Sequence, residues 1–137
     1  MISSLLFWAR LLFAALFVLI TYLTLTPNPD DVAAGFDLAR LIAGFLFGEP
    51  DYGDKVAHFA AYGALGAMAY WAQIFTAGRR WLTPVCLGFY GALLEGAQGI
   101  GGVRSLELLD AMANGLGAVT GFIFAMVFSH MLQRFRN

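Results

Sequence analysis

Charge is scarce in this chain. Asp, Glu, Lys and Arg make up 12% of its 137 residues, against about a quarter in an ordinary soluble domain. Hydrophobic residues account for 60% and aromatic ones for 15%, and the mean hydropathy is +0.72. That balance excludes an ordinary water-soluble domain and points to the bilayer as solvent. Cysteine is nearly absent as well. The single thiol, Cys86, can form no internal disulfide and no paired metal site. Inside its apolar run it reads as a small buried hydrophobe. The net charge of −1 gives no signal for nucleic acid or for acidic ligands. No internal repeat, low-complexity segment or P-loop pattern is present, and the length fits one domain, 1–137.

Four apolar stretches stand out, at about 5–25, 56–76, 81–100 and 111–131. Each is roughly 20 residues, enough for a helix to cross a hydrocarbon core about 30 Å thick. The third is the most interrupted, by Glu95 and Gln98. Only helices satisfy their own backbone in lipid as single segments, so the expected fold is all-α, a polytopic bundle of four transmembrane helices. The first stretch follows Arg10 but offers no small-x-small cleavage site, which reads as a retained signal-anchor helix.

Charge sign sets the orientation. Arg10, Arg79, Arg80, Arg134 and Arg136 lie at one set of helix ends, with no acid beside them. The other three bases, Arg40, Lys55 and Arg104, share the opposite side with all nine acids. By the positive-inside rule both termini and the Arg79-Arg80 turn are cytoplasmic, and the 27–55 and 101–110 connections face outward. Trp8, Trp71 and Trp81 fall near the inner ends, as an interfacial belt would have them. Within 27–55, Phe36, Leu38, Leu41, Ile42, Phe45 and Leu46 recur at helical spacing. They predict a short helix on the outer surface, either a packed connector or a lid over a site. Gly99, Gly101 and Gly102 predict a flexible bend before Arg104.

The polar residues gather at the outer ends. Asp54-Lys55-x-x-His58 opens the second span, with Asp54 and His58 on one helix face. Glu95-x-x-Gln98 closes the third, and Asp110-x-x-x-Asn114 opens the fourth. Glu95 follows Arg80 by fifteen residues, which places it roughly 22 Å across. A charge facing lipid at that depth is costly, so these groups must face one another or a wet cavity. Glu95 and His58 are candidate acid–base groups, with Asp54 and Asp110 to orient His58 or a cation. Lys55 and Arg104 are candidates to hold an anionic head group, and Gln98 and Asn114 to position it. The same His and carboxylates could hold a divalent cation. Their spacing matches no dedicated metal motif, however, and no metal or cofactor is expected. The bland alternative is a set of interhelical hydrogen bonds that clamp the bundle. Glu107 reads as a solvated loop charge, and Arg10 as a snorkelling one. Ala57, Ala60, Ala61, Ala64 and Ala67, with Gly63 and Gly66, supply small-residue surfaces, as do Gly117 and Gly121. Such stripes let helices approach closely within one chain, or across a homo-oligomer.

Taken in order, Asp54-Lys55-x-x-His58, Glu95-x-x-Gln98, Arg104-Ser105 and Asp110-x-x-x-Asn114-x-x-Gly117 resemble the VanZ-like family over roughly residues 20–130. The Gly99–Gly102 bend is richer in glycine than that pattern. The resemblance implies a multi-pass protein of the bacterial cytoplasmic membrane, in a family associated with resistance to the glycopeptide teicoplanin. It supplies a cell-envelope context and no reaction. The expected partner is a membrane lipid or lipid-linked envelope precursor, bound and in the stronger version modified at the outer leaflet. The rival readings are a non-catalytic binding or scaffold protein, and a small proton-coupled transporter. The transporter ranks last, because the first span carries no acid.

Overall fold

The computed structural model describes residues 2–27, 29–31, 33–101 and 107–136. Five α-helices account for most of them: α1 Ile2–Leu25, α2 Ala33–Phe47, α3 Gly53–Trp71, α4 Leu82–Gly101 and α5 Leu108–Arg136. Single 3₁₀ turns at Pro29–Asp31 and Pro50–Tyr52 flank α2, and no strand occurs among the described residues. The all-α expectation holds.

Local chemistry explains most of the boundaries. No Gly or Pro interrupts α1, and Pro27 stops its continuation. Gly48 ends α2 in the left-handed region, at φ 73°. Its N–H donates back to the Gly44 carbonyl at 3.0 Å. The end of α3 has the same logic with a less suitable residue. Gln73 sits at φ 53°, its N–H reaches the Tyr70 carbonyl, and the Ile74 N–H reaches the Ala69 carbonyl. This is a Schellman motif with glutamine where glycine is preferred. The reversal between α3 and α4 is then fastened by Thr83, whose hydroxyl donates to the Ile74 carbonyl at 2.8 Å. Contrary to the expected bend at Gly99, α4 stays helical through Gly101.

The helix pair that organises the bundle is α3 with α5, running parallel. A Cβ added at Gly117 would overlap the Phe59 carbonyl, one at Gly121 the Gly63 carbonyl, and one at Gly66 the Ala118 carbonyl. Backbone therefore lies on backbone, which only small residues allow. Both small-residue stripes are used inside the chain. Trp71 Nε1 donates to Ser129 Oγ at 3.1 Å, which joins the C-terminal halves of the pair. Helix α4 packs against α5, with Gly88 on Gly115. Helix α1 lies antiparallel to α3 and parallel to α4. Thr21 meets the Tyr90 hydroxyl at 2.8 Å, and the Phe17 and Tyr90 rings stack at 4.7 Å. Ile20, Tyr62, Leu65, Ala69, Leu87 and Ala118 form the core where α1, α3, α4 and α5 meet.

Two helices are long and apolar enough to cross a membrane, Ser4–Leu25 and Leu108–Phe135. Within the most apolar 18 residues of each, 6% of the first and 33% of the second is buried within the protein. Their large apolar side chains, including Leu5, Trp8, Val18, Leu116 and Phe124, point outward. Cys86 corrects the sequence expectation: it is exposed, not buried, on an α4 face shared with Val85 and Phe89. Helix α2 turns its small residues Ala39 and Ala43 inward and leaves Leu41, Phe45 and Leu46 outward. Arg10 does more than snorkel: its Nε donates to the Ala72 carbonyl at 3.2 Å, satisfying an orphan acceptor at the α3 C-terminus.

Candidate functional site

Seven of the eight candidate residues fall within the described residues, at the end of the bundle opposite the Arg10–Ala72 contact. Arg104, the eighth, lies outside them, as does Ser105. The first turns of α3 and α5 and the last turns of α4 converge there. Asp54, Glu95 and Asp110 come from three different helices, α3, α4 and α5.

The outer layer is built around one ammonium. Lys55 Nζ donates to Asp54 Oδ2 at 2.6 Å and also to Glu107 Oε2. Asp110 Oδ1 stands 3.1 Å away, inside ion-pair distance but outside hydrogen-bond geometry. Burial pulls the Lys55 pKa down, yet the hydrogen bonds to Asp54 and Glu107 and the charge of Asp110 outweigh it and hold the ammonium above the usual lysine range. Glu107 is therefore a partner of Lys55 and not a solvated loop charge. Asp54 is engaged with Lys55, accepting from its backbone N–H at 2.8 Å as well. The carboxylates facing His58 are Glu95, from α4, and Asp110, from α5. The spacing of Asp54 and His58 shows a shared face on one helix; it does not show what a neighbouring helix inserts there.

The inner layer is a chain of contacts across three helices. His58 Nδ1 lies 3.0 Å from Asn114 Oδ1, and Asn114 Nδ2 donates to Glu95 Oε1 at 3.4 Å. Glu95 Oε1 is also 3.6 Å from His58 Nδ1. On the other side of the ring, His58 Nε2 faces Asp110 Oδ2 at 3.9 Å. Glu95 is 2% exposed, and Asp110 and Asn114 are fully buried. Gly91 makes room for this layer. A Cβ there would meet Asn114 Cβ at 2.7 Å and Tyr62 Cζ at 2.9 Å.

A groove of about 700 Å³ runs between α1, α2 and α3 and reaches the cluster at His58. Leu23, Phe36, Ile42, Val56 and Ala60 make its walls apolar. Its polar end carries Tyr62 and Gln98. The Tyr62 hydroxyl and Gln98 Oε1 are buried without a hydrogen-bond partner, while Gln98 Nε2 donates to the Thr24 carbonyl of α1. Tyr62 was not a sequence candidate. Its position, one turn below His58 on the same α3 face, is the signal that could have found it. Comparison with known proteins finds no matching family model, no matching curated protein and no matching solved structure.

Proposed function

We propose that this chain is a four-span protein of the cytoplasmic membrane that binds an amphiphilic envelope molecule, such as a lipid-linked precursor, at its outer leaflet. The groove carries the reading. Its apolar length suits a lipid chain, and its end carries groups that suit a polar head, as ligand sites combine apolar walls with a few placed polar groups.

The four-span arrangement rests on length and surface. Helices α3 and α4 have 19 and 20 residues, about 28–30 Å at 1.5 Å per residue. They lie beside α1 and α5, whose outward faces are apolar. Their own hydropathy is lowered by the groups that build the site and by the alanines and glycines that pack it. In this orientation both termini and the Arg79-Arg80 turn are cytoplasmic, and α2 lies in the outer interface with its large apolar side chains toward lipid. The VanZ-like resemblance, with its link to glycopeptide resistance, belongs to the same reading.

His58 and Glu95 are the groups placed for proton transfer on a bound head group, and Arg40, which lines the groove, is placed for its charge. Lys55 is already surrounded by carboxylates. The non-catalytic alternative, a clamp, draws on the same His58–Asn114–Glu95 contacts.

The test is lipid retention. Protein extracted gently from bacterial membranes is expected to carry polyprenyl-phosphate lipids, detected by mass spectrometry. Ala60→Trp, which fills the groove from an exposed wall position, should displace them without unfolding the protein. Equal retention by both proteins would refute groove binding.

A further inference from the structure

With Glu95 ionised, hydrogen-bond logic orders the groups around His58. An ionised Glu95 can only accept, so the Asn114 amide must turn its Nδ2 toward Glu95, as it does at 3.4 Å. Its Oδ1 then faces His58 Nδ1 at 3.0 Å, and that nitrogen must carry a proton to donate. In a neutral ring this leaves Nε2 as a bare acceptor. Nε2 faces Asp110 Oδ2 at 3.9 Å; that buried oxygen has no hydrogen-bond donor, while the Lys55 ammonium pairs with the other, Oδ1, at 3.1 Å. Two acceptors thus confront each other in a buried layer, an arrangement that calls for a positive charge between them.

The geometry points to a divalent cation held among His58, Asp110 and Glu95. One donor atom from each of the three buried residues lies within 4.8 Å of the others. A separation of 3.9 Å is one that a single ion spans with ligand bonds of about 2.0–2.2 Å. The three donors come from α3, α4 and α5, so the fold brings them together and no short motif announces them. Asn114 completes the pattern as a positioning residue. It takes the second ring N–H of a metal-bearing histidine, the arrangement that fixes tautomer and ring orientation. The mixed imidazole and carboxylate set suits ions from Mn²⁺ to Zn²⁺ better than Mg²⁺ or Ca²⁺, which prefer oxygen alone. The neighbouring triad of Asp54, Glu107 and Asp110 needs no such ion, because the Lys55 ammonium sits among its oxygens. A bound ion turns His58 and Glu95 from proton-transfer groups into ligands. It leaves groove binding unchanged, so the two proposals fail separately.

Full-length protein in detergent, stripped with a chelator and desalted, is given Mn²⁺ or Zn²⁺ in separate titrations. Retained metal is counted by mass spectrometry. The expected result is one equivalent of at least one ion, lost in Asp110→Asn and in His58→Ala and kept in Asp54→Asn. Asn114→Ala should weaken affinity about 10–100-fold without abolishing it. Failure of stripped wild type to retain either ion overturns the proposal, and that outcome requires no variant to fold. So does retention by Asp110→Asn equal to wild type, or equal loss in Asp54→Asn, which would move the ion to the Lys55 triad.

Discussion

At Lys55 one ammonium faces three carboxylates, and its side chain is only 19% exposed. Removing it leaves Asp54, Glu107 and Asp110 to repel one another with no compensating charge. Breaking a buried pair from one side costs about 3–5 kcal/mol, and Lys55→Met is expected at the lower end because the site is partly open to solvent. Thermal unfolding in detergent measures this. The sign with pH follows from the raised pKa. The folded state holds its proton more tightly than the unfolded chain, so the contribution is fully present below the usual lysine value of 10.5. It is lost as pH rises beyond that toward the folded value. The gap between wild type and Lys55→Met should therefore stay constant from pH 7 to 10 and narrow above. At the same scale, the sequence makes the depth of Glu95, His58 and Asn114 legible, because ionisable groups in apolar stretches are costly and need partners. It does not make the partners legible. Glu107 reads as a loop charge until α5 brings it to Lys55, and Tyr62 reads as core, which it is, until its buried hydroxyl is found beside the groove.

At the scale of the element, the parallel α3–α5 contact has no slack. Gly121 faces the Gly63 carbonyl so closely that any side chain must push the helices apart. Gly121→Val is expected to destabilise the bundle by at least about 1–3 kcal/mol, the usual cost of overpacking, read as a lower thermal midpoint in detergent. Because Asp110 and Asn114 ride on the same helix, it should also weaken any metal retention. The turn after α3 has the opposite potential. Gln73 holds a left-handed conformation that costs a non-glycine residue about 1–2 kcal/mol, so Gln73→Gly should raise the midpoint. The glycine and alanine stripes announce close packing from sequence alone. Their use within one chain is decided by register, since Phe59 meets Gly117 and Gly63 meets Gly121 only when the helices run parallel. The continuation of α4 through Gly99 was not legible, because glycine permits a bend without requiring one.

For the whole molecule, Cys86 offers a direct check on the four-span proposal. It is the one thiol in the chain and lies on the protein surface. It also lies about one helical turn into α4, which the four-span proposal puts inside the membrane. If so, in intact membranes it should resist a water-soluble maleimide, which does not enter the apolar core. In detergent with denaturant it should label fully. Rapid labelling in sealed, folded membranes would place α4 in water and refute the arrangement. The number of helices and the clustering of polar groups at one end were legible from hydropathy and charge sign. The groove was not, because α2 forms it by turning Ala39 and Ala43 inward, a choice that helical spacing leaves open.

The order in which the chain is made gives the parallel pairing of α3 and α5 a further meaning. On the four-span reading, α3 and α4 enter the bilayer carrying His58 and Glu95 before the residues that answer them exist. Asp110 and Asn114 arrive only with α5. For that interval the nascent protein holds two mismatched polar helices in lipid, a state the insertion machinery must shelter. Chains halted before Leu108 should then be the ones that membrane quality control removes, even though most of the bundle has already been synthesised.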